Sequence, residues 1–483
     1  MEREKVIIIG SGPSGLTAGI ELLKKNRYQV SILEQEDMIG GLAKTIDFKG
    51  CKFDIGPHHY VTESKKIQNW WKVLMGKDFL PLKRFTRIYY KKHFFKYPLE
   101  VFNVLRGLNI FECIKSVFSY IKIRMFPIKN VKSFEDWVTN KFGKRLYSIF
   151  FKTYTEKVWG IDCTDISADW ASERIQSFSL GKAIFYAFFG KTFKNKRPRT
   201  IKDDFHYPVL GSGTLWQKVS DQIIENEKGE IYLNEKVVEI EYENFEIKKI
   251  VTKNNNELKE YEAKYFVSSM PLQELILSLN PVVSQEVVDA ANNLKYRALI
   301  TANLIINKKN ICPDHWLYVH EKELNMGRVG NMNNFSKKLL DNENHTALSL
   351  EYFTFVDNEF WKKSDNEILN LAKNELEKMN FIKNNEVLDG FILRSSNAYP
   401  VYDQNYKKSL NIVFKYLNQF ENLQLMGRNG MHKYNNMDAA MLSAFNVVSK
   451  IERQEMLKRK NKSSIEINRE INSEEVLEQK ELF

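Results

Sequence analysis

The sequence predicts an α/β protein, and three features of its first forty-five residues carry this prediction. An apolar run at 6–9 is typical of a buried strand, and it leads into a glycine-rich turn that opens a helix. A second apolar run at 28–33 is typical of another strand and ends at the acidic residue Glu34. A strand, a glycine turn, a helix and an acid at the end of the next strand together indicate a Rossmann-like dinucleotide-binding unit.

Each glycine of this turn has its own physical role. Gly10 permits the tight turn, Gly12 lets backbone N–H groups approach a pyrophosphate, and Gly15 lets the helix pack closely on the strand. Pro13 and Ser14 lie between these glycines and begin the helix. The N-terminus of that helix supplies a partial positive charge, so we expect it to bind the phosphates of the dinucleotide.

Glu34 and the glycine pair after it indicate which dinucleotide binds. Glu34 lies twenty-four positions after Gly10, where a carboxylate accepts hydrogen bonds from ribose hydroxyls. Gly40 and Gly41, followed by Leu42, come just after the acidic strand end. This pattern resembles the extended fingerprint of FAD-binding enzymes of the amine oxidase and glutathione reductase type, although an ordinary turn is the alternative. We therefore expect FAD rather than a nicotinamide cofactor.

Length and composition set the broad class. A chain of 483 residues with 43% apolar content predicts two intertwined domains. The four cysteines are scattered without a paired motif or nearby histidines, so we expect no disulfide framework, no zinc or other metal site, and a reducing cytoplasm. The first strand begins within six residues of the N-terminus, and no run of about eighteen uncharged apolar residues is present. These features predict a cytoplasmic protein without a signal peptide or membrane-spanning helix.

Positive charge is concentrated in one segment. Between Lys83 and Lys132 lie twelve basic and two acidic residues, which accounts for nearly all of the net charge of +11, and aromatic residues are interleaved with the cations. One interpretation is a basic amphipathic region that binds the inner membrane surface peripherally or flanks the entrance for an anionic substrate. The other is a solvated face over a buried aromatic stripe. No nucleic acid partner is expected, because no recognisable binding module accompanies the segment.

Four later motifs carry a family resemblance. The stretches GPH at 56–58, YTEKVWG at 154–160, YPVYD at 399–403 and GRNGMHKYNNMD at 427–438 resemble signature stretches of the UDP-galactopyranose mutases. The same architecture is shared with protoporphyrinogen oxidase-like and amine oxidase flavoproteins. The resemblance implies a Rossmann-like FAD-binding domain with an inserted helical region and a β-sheet substrate domain.

The resemblance also implies domain boundaries. The FAD-binding domain is expected in three parts, at 1–75, 201–290 and 396–455. The remaining segments are expected to be a helical cap at 76–200, a substrate-domain sheet at 291–395 and a charged, disordered tail at 456–483.

Several residues inherit cofactor roles from the resemblance. Gly427 and Arg428 are expected beside the FAD, with the helix from about Met437 directing its N-terminus at the flavin ring. His58 is expected against the isoalloxazine, with a core histidine as the alternative. The complete predicted FAD-binding set is Gly10, Gly12, Pro13, Ser14, Gly15, Glu34, Gly40, Gly41, Leu42, Val238, Gly427, Arg428 and Met437.

The resemblance implies a substrate site as well. Tyr154 and Trp159 are expected to line a sugar-nucleotide pocket, and Tyr399 and Tyr434 to hold the diphosphate. Arg297 falls close to one of the family's diphosphate-binding arginines. The predicted catalytic residues are Arg297, Tyr399, Tyr434 and His58.

The sequence also departs from the mutase pattern. Arg174 aligns with the first arginine of the family's RIPVR stretch, whereas Phe178 stands where its catalytic arginine is found. Asn436 replaces an aspartate, and Val61 replaces a histidine. Three functions stay open: flavin N5 chemistry on an activated nucleotide sugar in surface-glycan biosynthesis, an FAD-dependent oxidoreductase acting on an apolar or amine substrate, and a flavin-binding scaffold without catalysis.

Overall fold

The computed structural model describes residues 3–97, 103–104, 107–175 and 204–459. The fold divides into two units, each assembled from segments that are distant in the sequence. Unit 1 comprises Met1–Lys44, Gly213–Lys295 and Tyr406–Phe483, and unit 2 comprises Thr45–Ser212 and Tyr296–Asn405.

Twenty strands lie within the described residues. They are β1 (Glu4–Ile9), β2 (Tyr28–Leu33), β3 (Thr45–Phe48), β4 (Cys51–Asp54), β5 (Phe79–Lys83), β6 (Thr86–Tyr90), β7 (His93–Lys96), β8 (Asp204–Pro208), β9 (Gly229–Tyr232), β10 (Lys236–Glu243), β11 (Glu246–Asn254), β12 (Glu257–Tyr261), β13 (Tyr265–Ser268), β14 (Leu279–Asn280), β15 (Tyr296–Ile306), β16 (Trp316–Val319), β17 (Arg328–Asn331), β18 (Thr346–Thr354), β19 (Val387–Pro400) and β20 (Leu423–Leu425).

The α-helices of the described residues follow in the same chain order. They are α1 (Pro13–Leu23), α2 (Lys65–Met75), α3 (Ile110–Met125), α4 (Phe134–Phe142), α5 (Lys144–Tyr147), α6 (Thr153–Trp159), α7 (Ala168–Ile175), α8 (Gly213–Ile224), α9 (Leu272–Leu277), α10 (Gln285–Asn292), α11 (Glu359–Lys362), α12 (Asp365–Lys378), α13 (Tyr406–Leu417), α14 (Gly427–Gly430) and α15 (Met437–Arg459). None of these helices combines the length and the apolar composition that crossing a bilayer requires.

Unit 1 contains the predicted dinucleotide-binding sheet. Five parallel strands lie in the order β20-β13-β1-β2-β9, with β1 in the centre. Ile8 of β1 pairs with Val267 on one side and Ile32 on the other, and all three side chains are fully buried. Such unbroken apolar strands are expected where both faces of a parallel sheet are covered. The α/β class and the Rossmann-like arrangement are confirmed.

A second sheet in unit 1 has the strand order β12-β11-β10-β14. Ile240 and Ile250 of this sheet belong to the same hydrophobic core as Ile7 of β1, Leu275 of α9 and Val413 of α13. This shared core joins the four-stranded sheet to the parallel sheet within the unit.

Unit 2 is built around a seven-stranded sheet in the order β19-β15-β18-β17-β16-β6-β7. Every residue of β15 and of β18 is buried. These central strands bring residues from distant parts of the chain together, because β15 pairs antiparallel with both β18 and β19. Arg297 thereby lies opposite Tyr399 in the ladder.

The start of the expected helical cap differs from the prediction. The segment from 79 to 96 forms β5, β6 and β7, and helices follow from Ile110 onward. β6 pairs with β16 and extends the seven-stranded sheet, while β5 pairs with β8. The sequence TRIYY of β6 is rich in β-branched and aromatic residues, which suit a half-buried sheet surface.

The end of the chain also differs from the predicted boundary at 456. Helix α15 continues to Arg459, and residues beyond it lie outside the described ranges. Two acidic residues of α15 accept hydrogen bonds from tyrosines of the parallel sheet. Tyr28 of β2 donates to Glu452 at 2.6 Å, and Tyr265 of β13 donates to Glu455 at 2.6 Å. Acidic side chains of α15 just before the predicted boundary are therefore docked on the parallel sheet.

Candidate FAD and substrate sites

The glycine turn joins β1 to α1 as predicted, and its glycines meet different surroundings. Gly10 has a φ of +96°, and a Cβ there would collide with Ser269 Oγ. A Cβ on Gly15 would overlap the carbonyl oxygen of Gly10. Gly12 has a φ of −71°, and a Cβ on it would meet no described atom within 4 Å. Gly10 and Gly15 are thus needed for the fold, whereas Gly12 borders open space.

The N-terminus of α1 has the character of an anion site. Gly12 is its N-cap, Pro13 begins it, and neither a side-chain cap nor a first-turn acid is found there among the described residues. Its first N–H groups and its dipole therefore remain available for a phosphate. Because Gly12 is the N-cap of α1, the open space beside Gly12 adjoins this terminus.

Glu34 is fixed at the end of β2 by three donors. Its Oε2 accepts hydrogen bonds from Ser11 N at 2.8 Å and from Ser11 Oγ at 2.7 Å, and its Oε1 accepts one from Glu36 N at 3.0 Å. An ionised carboxylate has about four acceptor sites, so a ribose hydroxyl can still be bound. The three donors stabilise the carboxylate in this buried position.

The glycine pair lies against the glycine turn. A Cβ on Gly41, which has a φ of +52°, would lie 3.3 Å from the Cα of Gly12, and Gly40 N donates to Ser11 O at 2.9 Å. Leu42 follows in a short turn of 3₁₀ helix. The two glycine segments are therefore in contact. Because glycines have no side chains, only backbone atoms of these glycines border the space over Gly12.

The predicted FAD-binding segment at Gly427 and Arg428 lies against helix α1. Gly427 has a φ of +77°, and a Cβ on it would lie 2.5 Å from Ser14 Oγ in the first turn of α1. Arg428 Nη2 donates to Asn435 O at 2.7 Å, and its guanidinium lies 5.2 Å from the ring centre of Tyr434. Arg428 thus closes the loop that carries Tyr434.

Met437 and Val238 complete the predicted FAD set. Met437 is the first residue of α15, at the position where the helix was expected to begin. Val238 lies on β10 of the four-stranded sheet and is 39% exposed. All thirteen predicted FAD-binding residues belong to unit 1.

Trp159 and Tyr399 come together in unit 2. Trp159 ends α6 and is almost fully buried, with its ring centre 6.4 Å from that of Tyr399 and 5.1 Å from that of Trp170. Both contacts are edge-on, a favourable geometry for aromatic pairs. The hydroxyl of Tyr399 accepts a hydrogen bond from Arg328 Nη2 at 3.0 Å.

Arg297 lies under the end of α6. Its Nε donates to Val158 O at 2.8 Å, and its Nη2 donates to Lys157 O at 3.2 Å and to Phe353 O at 2.9 Å. Burial lowers the pKa of the guanidinium to about 10. Arg297 Nη1 is buried and has no hydrogen-bond partner among the described residues. The arginine therefore caps the helix that carries Trp159 and keeps one donor for a further acceptor.

Lys157 anchors the same helix from its other side. Its Nζ donates to the carbonyl oxygens of Val319, Glu321 and Met326 at 3.1, 2.8 and 3.0 Å. Burial lowers the pKa of this ammonium to about 8. The lysine of the YTEKVWG stretch thus holds α6 on the seven-stranded sheet.

Sequence reasoning missed Arg328 and Glu351, which form a buried ion pair beside Tyr399. Arg328 Nε donates to Glu351 Oε2 at 3.0 Å, while Glu351 Oε1 has no partner among the described residues. Burial raises the pKa of the Glu351 carboxyl, and the Arg328 guanidinium opposes that rise. A lone acid inside the apolar stretch ALSLEYFTF was the available signal, since a buried carboxylate requires a partner.

The GPH stretch, which ends at His58, passes close to Glu351 in space. A Cβ on Gly56, which has a φ of +74°, would lie 3.1 Å from Glu351 Oε1. The His58 ring is half-buried, and its Nδ1 lies 3.2 Å from Gly56 O. The GPH stretch therefore passes close to the buried carboxyl, and the positive φ and the tight contact both favour glycine at position 56.

A second buried acid stands just before the GPH stretch. Asp54 accepts hydrogen bonds from Thr45 Oγ1 at 2.5 Å, Tyr207 OH at 2.6 Å and Ser212 N at 3.1 Å. Burial raises the pKa of this carboxyl to about 6, although the three donors lower it. Asp54 fixes the β3–β4 hairpin to the segment that ends at Ser212.

The remaining predicted substrate residues are Tyr154, Arg174, Phe178 and Tyr434. Tyr154, on α6, stacks on His320 with 4.8 Å between ring centres. Arg174 lies in α7, and Phe178 lies outside the described residues. Tyr434 belongs to unit 1, whereas its predicted partner Tyr399 belongs to unit 2. The substrate roles of all these residues stay predictions.

Most of the chain matches a known protein-family model. The family model for flavin containing amine oxidoreductases matches residues 13–407, which is more than half of the chain. The chain belongs to this family. As a flavin containing amine oxidoreductase family member it is a flavoenzyme, and FAD is its cofactor.

Two characterised or named proteins are similar to this chain over limited stretches. A 1-hydroxycarotenoid 3,4-desaturase from Flavobacterium sp. (strain P99-3) is 50% identical over 54 residues, which is 11% of each chain. A Klebsiella pneumoniae protein named "Probable UDP-galactopyranose mutase" is 26% identical over 180 residues, covering 35% of this chain and 44% of that protein. The matched stretches thus span less than half the length of either relative.

A solved structure extends the likeness to the whole fold. The structure of reduced UDP-galactopyranose mutase has a TM-score of 0.79 at 18% identity, covering 93% of this chain and 94% of that one. The suspected mutase and amine oxidase architecture is therefore confirmed. The residues present also fit FAD: the space over Gly12, the helix N-terminus and the buried acceptor Glu34 lie in one unit.

Proposed function

We propose that this flavoenzyme acts on an activated, nucleotide-diphosphate sugar and contracts its ring as a step in surface-glycan biosynthesis. The observation that carries the proposal is the grouping of Tyr399, Arg328 and Trp159 in unit 2. A hydroxyl that accepts a hydrogen bond from a cation is itself polarised, so it donates more strongly to an anionic oxygen. The buried indole of Trp159 packs edge-on against the Tyr399 ring and helps to fix the direction of that hydroxyl. This combination suits a diphosphate linked to a ring.

The chain's own residues would perform binding and charge stabilisation. When bound, FAD supplies a flavin N5 that acts as a nucleophile in its reduced form. Tyr399 and Tyr434 would donate hydrogen bonds to the diphosphate and stabilise the charge that develops as it leaves the sugar. Arg297 and Lys157 would keep α6, and with it Trp159, in place. The net reaction would consume no electron acceptor.

The likeness to the mutases supports this proposal. The mutase match extends over 180 residues, whereas the desaturase match extends over 54. The mutase match has lower identity than the desaturase match, but it involves a larger part of the chain than the first dinucleotide-binding segment alone. The fold of reduced UDP-galactopyranose mutase adds support at the level of architecture.

The second candidate is an FAD-dependent oxidoreductase that acts on an apolar or amine substrate. The family model of amine oxidoreductases and the match to a carotenoid desaturase favour it. Phe178, which replaces an arginine of the mutase pattern, also suits an apolar substrate. In this reaction a hydride would move from a C–H or C–N bond to the oxidised flavin, and then to oxygen or another acceptor.

One experiment separates the two candidates. The purified holoprotein, oxidised or reduced with dithionite, is incubated with a panel of nucleotide sugars that includes UDP-galactopyranose, and the oxidised protein is incubated separately with an amine and with a polyene. Chromatography then detects furanose products while an electrode records oxygen uptake. The proposal predicts furanose formation by the reduced protein only, without net consumption of reductant. Oxygen uptake with an amine or polyene, and no furanose from any sugar, would establish the oxidoreductase instead.

The tyrosines give a sharper test of the substrate class. Tyr399→Phe and Tyr434→Phe should each weaken nucleotide-sugar binding by about 0.5–1.5 kcal/mol per lost hydrogen bond, with flavin content unchanged. Tyr232→Phe is the matched control, because its hydroxyl contacts the surface residue Glu230. Calorimetric titration measures the affinities. Equal affinity in all three variants would contradict the diphosphate role.

A further inference from the structure

Helix α3 has an inverted distribution of polar and apolar residues. A surface helix normally buries its apolar stripe and exposes its polar face. In α3 the exposed side chains are mostly apolar, with Phe111 at 71% and Phe118 at 68% exposure. We call this surface the apolar face of α3; it consists of Ile110, Phe111, Ile114, Val117, Phe118, Ile121 and Met125.

Polar residues of α3 are directed toward the rest of unit 2. Cys113 and Ser116 are the buried residues of the helix. Glu112 accepts a hydrogen bond from Arg145 Nε at 2.6 Å, and Ser119 Oγ accepts one from Arg145 N at 3.0 Å. These bonds fix the rotation of the helix, so its apolar face cannot turn inward without breaking a partly buried ion pair.

The apolar face is continuous and has cationic edges. At about 100° per residue, its seven side chains cover about 120° of the helix surface. Lys115 and Lys122 flank one edge, and Arg124 flanks the other. Lys129 and Lys132 follow the helix and are exposed as well. The helix carries one acid, Glu112, and that acid lies on the inward side.

We propose that the apolar face of α3 inserts into the interface of an anionic lipid bilayer. Apolar side chains enter the acyl boundary while lysine and arginine reach back to anionic headgroups, as in interfacial amphipathic helices. This binding goes beyond the proposed reaction and is independent of it. It would hold the enzyme at a membrane surface through this helix.

A second copy of this chain fits the face less well. The helix is about 24 Å long at about 1.5 Å per residue, and a face about 10 Å wide offers far less than the about 800 Å² per partner of a stable interface. Two such faces would also bring cationic edges together. An anionic lipid surface complements the same edges and accepts an apolar face of this size.

Vesicle binding of the full-length holoprotein tests the proposal. Vesicles of phosphatidylcholine, with or without phosphatidylglycerol, are sedimented with the protein at low and high salt. Wild type should bind the anionic vesicles, and high salt should weaken binding without abolishing it, because insertion is not screened. Phe111→Ser combined with Phe118→Ser should lower partitioning roughly tenfold or more. Val73→Ser and Leu258→Ser, at exposed apolar residues elsewhere, should bind as wild type does.

A fluorescent label reports insertion directly. The native cysteines are buried, and burial raises the pKa of each thiol, so a new surface cysteine reacts selectively. A nitrobenzoxadiazole label at Phe118→Cys should brighten on anionic vesicles, whereas one at Leu258→Cys should not. The proposal is overturned if wild type stays in the supernatant with anionic vesicles at low salt, or if the double serine variant binds equally. A wild-type dimer in sedimentation equilibrium that the double variant loses would assign the face to a second copy and overturn it too.

Discussion

The guanidinium of Arg297 packs directly against the backbone of Gly160. A Cβ built on Gly160 would lie 2.5 Å from Arg297 Nη1 and 2.6 Å from Nη2. Gly160 also has a φ of +67°, which a glycine adopts without strain. The last residue of the YTEKVWG stretch is therefore glycine for two reasons: the left-handed turn that ends α6, and the arginine beneath it.

Gly160→Ala should destabilise the protein by about 2–4 kcal/mol, since left-handed backbone and steric overlap both contribute. Urea unfolding of the full chain measures this loss. In an Arg297→Met background the same change should cost only about 1–2 kcal/mol, because the overlap with the guanidinium is gone. Identical costs in the two backgrounds would mean that Arg297 does not crowd Gly160.

Gly12→Val should abolish FAD loading while leaving the apoprotein folded. The new side chain enters the open space above the turn, where no described atom lies within 4 Å of the Cβ. Flavin absorbance after purification measures loading, and circular dichroism measures folding. Gly15→Ala is the contrasting variant, because its Cβ overlaps Gly10 O and should damage the fold itself. Full flavin occupancy in Gly12→Val would refute the pyrophosphate position.

Glu34→Gln should weaken FAD binding by about 1.5–3 kcal/mol, the usual loss for a hydrogen bond to a charged group. The variant removes the charge that accepts from Ser11 and places amide donors near existing donors. Flavin release during dialysis, followed by fluorescence, measures the affinity. Glu36→Gln is the nearby control, since its side chain pairs with Lys44 on the surface. The ribose role fails if both variants retain FAD as wild type does.

Asp54 should make stability decline as the pH rises. Burial raises the pKa of its carboxyl from 3.8 to about 6, so the folded state holds its proton more tightly than the unfolded state. Its contribution is present below pH 3.8 and is lost as the pH passes about 6. The expected loss is about 3 kcal/mol.

Unfolding of wild type and Asp54→Asn across this pH range isolates the contribution. The difference between the two proteins should change with pH, whereas Asp221→Asn, an exposed acid on α8, should run parallel to wild type. Tyr207→Phe removes a donor that lowers the pKa of Asp54, so it should move the transition to higher pH. A constant difference between wild type and Asp54→Asn would show that the pKa of Asp54 is the same in the folded and unfolded states.

The sequence by itself determined the dinucleotide-binding unit and the family. The strand, the glycine turn, the first helix and Glu34 lie within thirty-four residues, and neighbours in the chain are there also neighbours in space. Local chemistry of this kind is readable because backbone conformation and phosphate access depend on residue type at each position. The start of α15 at Met437 was implied by the family resemblance of the stretch at 427–438.

Only the tertiary structure decided what surrounds the later motifs. The pairing of Arg328 with Glu351, and the position of Arg297 under Gly160, depend on the register of β15, β17 and β18. The strands at 79–96 and the docked end of α15 likewise depend on partners far away in the chain. Burial, and with it the need of each charge for a partner, is a property of the assembled sheet. It cannot be assigned to a residue before its long-range neighbours are known.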